Sequence, residues 1–143
     1  MTNFSNMANK PETPKVGVGV VLRNDDGDIL LGLRKGAHGA GEWSLPGGHM
    51  ALGEDFIATC KREVKEETGI TIATIRKLGF TNDVFETKGL HYVTLFFEAY
   101  WDRKQPKVME PEFCEEWRWF MTNALPDNVF PPLKRFLDDG GLE

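Results

Sequence analysis

The 143-residue chain predicts an α/β fold, an α/β/α sandwich built on a mixed sheet. Two observations carry this. Runs of β-branched and aromatic residues recur along the chain and surround one helix with well-marked ends, and a second helical segment follows near the C-terminus. Hydrophobic content of 41% and charged content of 27% are those of a globular domain, long enough to bury a core without disulfide or metal staples. The expected organisation is a flexible tail over residues 1–14, polar and carrying Pro11 and Pro14, then a single domain over residues 15–143.

In chain order, Val16 to Arg23 and Ile29 to Arg34 read as two strands, and Asn24-Asp25-Asp26-Gly27-Asp28 between them is a hairpin turn signal. Lys35 to Glu42 is a loop rich in glycine and alanine. Trp43 to Pro46 is a short strand. Glu54 to Thr68 has apolar residues at Phe56, Ile57, Cys60 and Val64, which is helical spacing. Gly53 or Glu54 lies near its start, and Gly69 stands where a left-handed C-terminal cap is expected. Thr71 to Glu86 reads as extended, with a break expected near Asn82-Asp83. Leu90 to Trp101 is a strong strand, and Lys104 to Glu112 a charged loop with proline. Glu115 to Phe120 alternates Trp117 and Trp119 with polar residues, as a half-buried strand does. Pro131 to Asp139 closes the domain as a helix, with Leu133, Phe136 and Leu137 at helical spacing.

The helix carries the most informative pattern. Gly48, Glu54, Arg62, Glu63, Glu66, Glu67 and Gly69 are spaced G-x5-E-x7-R-E-V-x-E-E-x-G-I, a combination that average residue frequencies would produce about once in 10⁹ start positions. Glu63, Glu66 and Glu67 are related by i,i+3 and i,i+4, so they share one helix face. Like charges at that spacing repel, and Glu66 and Glu67 also sit at the negative end of the helix dipole. Breaking two local rules within one turn points to a functional constraint. A hard divalent cation resolves it, because magnesium takes oxygen ligands from carboxylates, waters and substrate phosphate. A solvated acidic face is the ordinary reading of E-x-x-E-E alone; the surrounding pattern outweighs it here.

Charge and composition exclude several classes. A net charge of −5 argues against a nucleic-acid-binding surface, which needs a basic patch. No apolar run is long enough to span a bilayer, and the N-terminus lacks a basic region followed by an apolar segment, so a cytoplasmic location is expected. Cys60 and Cys114 read as reduced residues inside regular elements rather than a disulfide.

Arg34 and Lys35 end a strand and open a flexible loop. Arg34 is the preferred phosphate contact, because its forked donors suit two oxygens at once. Gly47 and Gly48 allow the backbone to approach a ligand closely. Neither His49 nor His91 has a serine or cysteine partner, and neither is assigned as a base. Cys60 lies on the apolar stripe of the helix and reads as inert.

The Gly48–Ile70 segment resembles the Nudix box of the Nudix hydrolases, in which a loop–helix–loop holds divalent metal and cleaves a nucleoside diphosphate linked to another moiety. Gly17 to Asn24, Leu30 to Gly36, Leu45 to His49, His91 to Thr94 and Glu110 to Trp119 extend the likeness over about residues 15–138. They are similar to the MutT-like nucleoside triphosphate diphosphatases, a group with animal members acting on oxidised guanine nucleotides and a plant member linked to dihydroneopterin triphosphate. The resemblance implies a Nudix-type sandwich, with Mg²⁺ as cofactor and Mn²⁺ as a substitute. It implies Glu63, Glu67 and Glu66 as metal ligands with the Gly48 carbonyl. Arg62 would orient the carboxylates, and Glu54 would brace the loop or join an outer metal site. Relatives often draw one acid from outside the box, and among Glu110, Glu112, Glu115 and Glu116 the choice is Glu112. Phe130, Leu133, Phe85, Leu45 and Thr94 are candidates for a base-binding wall, with core packing an equal reading for each.

The expected reaction is hydrolysis of a nucleoside triphosphate by in-line attack of water, giving nucleoside monophosphate and pyrophosphate without a covalent intermediate. Two other readings stand beside it. One is a pyrophosphohydrolase of ADP-ribose, a dinucleotide or dihydroneopterin triphosphate. The other is a non-catalytic nucleotide sensor, disfavoured because every box glutamate is present. The subgroup resemblance also implies a homodimer.

Overall fold

The computed structural model describes residues 13–36 and 38–142. The expected tail falls almost wholly on residues 1–12, outside the described residues. The elements run β1 (Lys15–Arg23), β2 (Ile29–Arg34), β3 (Trp43–Ser44), β4 (Gly47–His49), α1 (Phe56–Thr68), β5 (Ile75–Phe85), a 3₁₀ turn (Glu86–Lys88), β6 (Leu90–Tyr100), β7 (Cys114–Phe120) and α2 (Pro131–Asp138). One mixed sheet joins all seven strands, with the path β3-β2-β1-β6-β5, β4 added to β1 and β7 to β2.

β1 is the axis of the sheet. It runs parallel to β6 from Lys15↔Tyr92 to Arg23↔Tyr100, and both of its faces are covered. Burial on two sides is why its core reads as an unbroken apolar run. Alternate residues feed two cores. Val18, Val20 and Leu22 pack with Leu30 and Phe97 against Cys60 and Val64 of α1. On the other face Val21, Ile29, Leu31 and Phe96 pack against Leu133 and Phe136 of α2. The fold is thus the α/β/α sandwich the sequence predicts, one helix per face.

Four local expectations change. The β1–β2 hairpin pairs only at Arg23↔Ile29. Beyond that point the strands part: β2 pairs with β7 and β3, while Gly17–Gly19 of β1 pair with β4. Gly47 and Gly48 therefore lie in a strand. A side chain at Gly47 would collide with the Val18 carbonyl, so the pairing needs glycine there. The expected break near Asn82-Asp83 is absent, and the irregularity in β5 falls between Lys77 and Gly79. Asp83 stays in the strand because Thr81 Oγ1 donates to it at 2.6 Å and Arg135 of α2 at 3.0 Å. Next, α1 starts two residues later than expected, at Phe56, because Asp55 Oδ1 accepts the Ala58 amide as N-cap. Phe56 and Ile57, expected on the buried stripe, are exposed at that first turn, whereas Cys60 and Val64 are fully buried.

Candidate active site

The wedge between β1 and β2 opens into a cavity of about 620 Å³. Its polar side is built by the meeting of β4 with the last turns of α1. Gly69 takes the left-handed conformation that ends the helix, and its amide caps the Lys65 carbonyl. Glu67 Oε1 accepts the Gly47 amide at 3.1 Å, and Trp117 Nε1 donates to the Glu67 carbonyl at 3.2 Å. Gly48 lies flat against Glu63: a Cβ there would strike the Glu63 carboxylate.

Arg62 organises the acidic face. Its Nε and Nη2 donate to Glu54, at 2.7 and 2.9 Å. Nη1 donates to Glu63 at 2.9 Å and Glu66 at 3.1 Å, and Nη2 also reaches the His49 carbonyl at 2.9 Å. Glu54 in turn accepts the Ala51 amide and the Thr59 hydroxyl, which fixes the loop before the helix. These bonds, those from Arg62 foremost, hold the Glu54 carboxyl down at about 2, and Glu54 raises the Arg62 pKa in return.

Glu63 and Glu67 are shifted the other way. Burial pushes Glu63 up against the opposing bond from Arg62. Glu67 is pushed well above the usual carboxylate range, first by burial and then by the charges of Glu63 and Glu110. Both carboxylates are crowded; Glu63 is paired with Arg62, whereas the bond that Glu67 accepts comes from the neutral Gly47 amide. Among the described residues no three acidic, histidine or cysteine side chains already form a coordination shell, since Arg62 holds Glu63 and Glu66 to itself. The donor set of hard carboxylate oxygens beside a glycine-lined strand nevertheless suits a hard divalent cation.

Arg34, Leu45, Gly47, Thr94, Phe130 and Leu133, the residues expected at a substrate site, all line this one cavity together with Gly48, Glu63 and Glu67. Leu45 and Leu133 are at the same time buried members of the α2-side core. Arg34 lies over the Phe130 ring at 4.0 Å and donates from Nε to the His38 carbonyl at 3.1 Å. Burial lowers its pKa, opposed by Glu67 and Glu42. Gly39, at φ 78°, lets the backbone lie close against this pair, because a side chain there would strike both Arg34 and Phe130.

Glu66, Arg62 and Glu54 do not line the cavity; they stand behind Glu63, with Glu66 about half exposed. Glu112, the choice for an acid outside the box, is exposed and does not line the cavity; the carboxylate of that segment which lines it is Glu110. Burial raises the Glu110 pKa, with Glu66 and Glu112 adding to the shift. Of the aromatic lining, Phe85 and Phe130 are among the expected candidates for a base wall, whereas Tyr92 and His38 join it from segments the sequence does not single out for this. Phe85 and Phe130 are nearly parallel at 6.3 Å, Tyr92 stands edge-on to Phe85, and His38 stands edge-on to both phenylalanines. His49 stacks on Tyr92 at 5.3 Å, whereas His91 turns to Asn82 outside the cavity.

The family model for the NUDIX domain matches residues 13–140. The chain belongs to the NUDIX family. A MutT Nudix hydrolase from Burkholderia pseudomallei has the same fold, with a TM-score of 0.82 and 33% identity over 89% of this chain and 98% of that one. The oxidized purine nucleoside triphosphate hydrolase of Danio rerio is 34% identical over 75% of this chain and 67% of its own length. An RNA pyrophosphohydrolase of Caulobacter vibrioides is 36% identical over 84% of this chain, which spans 60% of that protein. The Gly48–Ile70 segment that resembles the Nudix box runs from β4 through α1, and the enzyme is a hydrolase of the nucleotide pyrophosphate type. Among the described residues, no helix is long and apolar enough to cross a membrane.

Proposed function

We propose that this Nudix hydrolase is a Mg²⁺-dependent nucleoside triphosphate diphosphatase, with Mn²⁺ able to replace Mg²⁺. The observation that carries the reading is the single cavity lined both by Glu63 and Glu67 and by Arg34, Phe85, Tyr92 and Phe130. Polyphosphate and flat base call for these two kinds of wall. Glu63, Glu66 and Glu67, with the Gly48 carbonyl, would hold the cation. When bound, it would neutralise phosphate charge and lower the pKa of a water.

The chain's own groups supply the rest. Arg34 presents its fork to phosphate oxygens, held in place by the Phe130 ring and the His38 carbonyl. Arg62 fixes the directions of Glu63 and Glu66, and Glu54 fixes Arg62. A carboxylate of the same cavity takes the proton of the attacking water, either Glu67, kept in register by the Gly47 amide, or Glu110. Water attacks phosphorus in line, and monophosphate and pyrophosphate leave. Sequence likeness to the oxidized purine nucleoside triphosphate hydrolase of Danio rerio supports the substrate class.

The experiment is a screen of canonical and oxidised nucleoside triphosphates, with ADP-ribose and a dinucleotide included, in millimolar Mg²⁺. Monophosphate and pyrophosphate should appear in equal amounts from a triphosphate. Release of neither from any member, or turnover of ADP-ribose alone, overturns the reading.

A further inference from the structure

His38 lies on the glycine-rich loop between β2 and β3, and its side chain lines the cavity. Its ring is edge-on to Phe85 at 5.0 Å and to Phe130 at 5.3 Å, and faces Tyr92 across 6.4 Å at 17°. Among the described residues, its Nε2 is the one buried side-chain nitrogen or oxygen without a hydrogen-bond partner. A buried polar group left unpaired costs stability, so an unpaired one in a cavity wall points to a partner that arrives with the ligand.

The other ring nitrogen reveals what Nε2 offers. Lys88, on the 3₁₀ turn, approaches Nδ1 with its Nζ at 3.2 Å. An ammonium has only donors, so Nδ1 must accept, and the proton of the neutral ring then sits on Nε2. The ring is kept neutral: burial lowers the His38 pKa, and the charges of Lys88 and Arg34 lower it further. The unpaired group is therefore an N–H donor surrounded by aromatic carbon.

We propose that His38 is a specificity-determining residue whose Nε2–H donates to a keto oxygen on the substrate's base, so that the enzyme selects keto-base nucleotides over amino-base ones. Hypoxanthine, guanine, uracil and thymine present a carbonyl acceptor where adenine and cytosine present an amino group. An amino group would meet the Nε2–H donor to donor and leave both unpaired. The aromatic rings beside His38 accept any flat base, so they set no such preference themselves. The inference rests on the nucleotide reading of the cavity given above.

The test compares inosine and adenosine triphosphates, which differ at the C6 substituent and the adjoining N1. The native enzyme should prefer the inosine nucleotide by at least about tenfold in kcat/KM. His38→Leu keeps an apolar filler of the slot and should bring the ratio to near one, mainly by lowering the inosine rate. Lys88→Met unpins the tautomer and should lower the ratio by a smaller factor, with thermal unfolding confirming that both variants fold. Calorimetry with inosine and adenosine monophosphates reads the same preference without any turnover. A native ratio near one, or a ratio that His38→Leu leaves unchanged, overturns the assignment. Absence of turnover with a clear binding preference for the inosine compound overturns the hydrolytic reading and leaves His38 standing.

Discussion

Glu67 Oε1 accepts the backbone amide of Gly47 at 3.1 Å, so the tail of the box helix is tied directly to the strand that wedges β1 from β2. That bond holds a carboxylate where burial and the charges of Glu63 and Glu110 make it costly to ionise. Replacing it with the neutral isostere should therefore separate stability from activity. Glu67→Gln keeps the acceptor for Gly47 and removes the repelled charge. Turnover should fall by at least about 10²-fold, while the metal-free protein unfolds at the same or a higher temperature. A variant that retained near-native turnover would show that Glu67 neither binds the cation nor moves the proton.

The same crowding predicts a response to cation. Addition of millimolar Mg²⁺ should raise the melting temperature at pH 7, and a chelator should reverse it, because a ligand of the folded state alone stabilises by mass action. Glu63→Gln should shrink this shift. Equal melting curves with and without Mg²⁺ and Mn²⁺ would remove the cation from the acidic face.

The two glycines of β4 should fail in different ways. At Gly47 an added Cβ meets the Val18 carbonyl, which is backbone in a paired strand and cannot yield; at Gly48 it meets the movable end of Glu63. Gly47→Ala should cost more than about 2 kcal/mol of stability, by strain in the β1–β4 pairing. Gly48→Ala should fold nearly normally and lose activity, because Glu63 is displaced. Denaturant unfolding and steady-state rates distinguish the pair, and the reverse pattern would refute the assignment of Gly48 to the site.

Much of this arrangement was legible before any coordinates. The helix, its glycine cap and the trio Glu63, Glu66 and Glu67 follow from spacing, because 3.6-residue periodicity is a local property. The parting of β1 from β2 was not, since Asn24–Asp28 encodes the turn and nothing local states that pairing ends after Arg23↔Ile29. Glu110 and Glu112 are two residues apart in a loop without periodicity, so only the path of the backbone decides which lines the cavity. His38 is a single polar residue among glycines, and its neighbours Phe85, Tyr92 and Phe130 come from three distant segments.

Arg34 offers a test of the phosphate wall. It is partly buried, stacked on Phe130 and bonded through Nε to the His38 carbonyl, a geometry that lysine cannot reproduce. Arg34→Lys keeps the charge and loses the fork. KM for a triphosphate should rise about 10-fold or more, with melting temperature little changed. An unaltered KM would place the phosphates elsewhere.

Glu98 gives the fold its own pH dependence, away from the acidic face. It is a charged residue in the buried part of β6, 4% exposed. Burial alone would raise its pKa, but bonds from Arg23 at 2.7 Å and Arg76 at 2.6 Å win, and the net shift is downward. Arg76 is largely exposed, so Arg23 carries most of the effect. With the folded-state pKa below the unfolded one, the folded chain holds fewer protons. The stabilisation is then complete above the ordinary glutamate range, near pH 4.5, and drains away as pH falls through the lowered value. Glu98→Gln should cost about 1–3 kcal/mol at pH 7, chiefly by leaving Arg23 short of its partner. The gap between variant and native protein should narrow as the pH falls below the ordinary glutamate range, where the unfolded chain takes up the proton before the native carboxyl does. Urea unfolding at pH 7, 5 and 3.5 measures it. A gap that stayed constant across that range would mean that Glu98 contributes shape rather than charge to the junction of β1, β5 and β6.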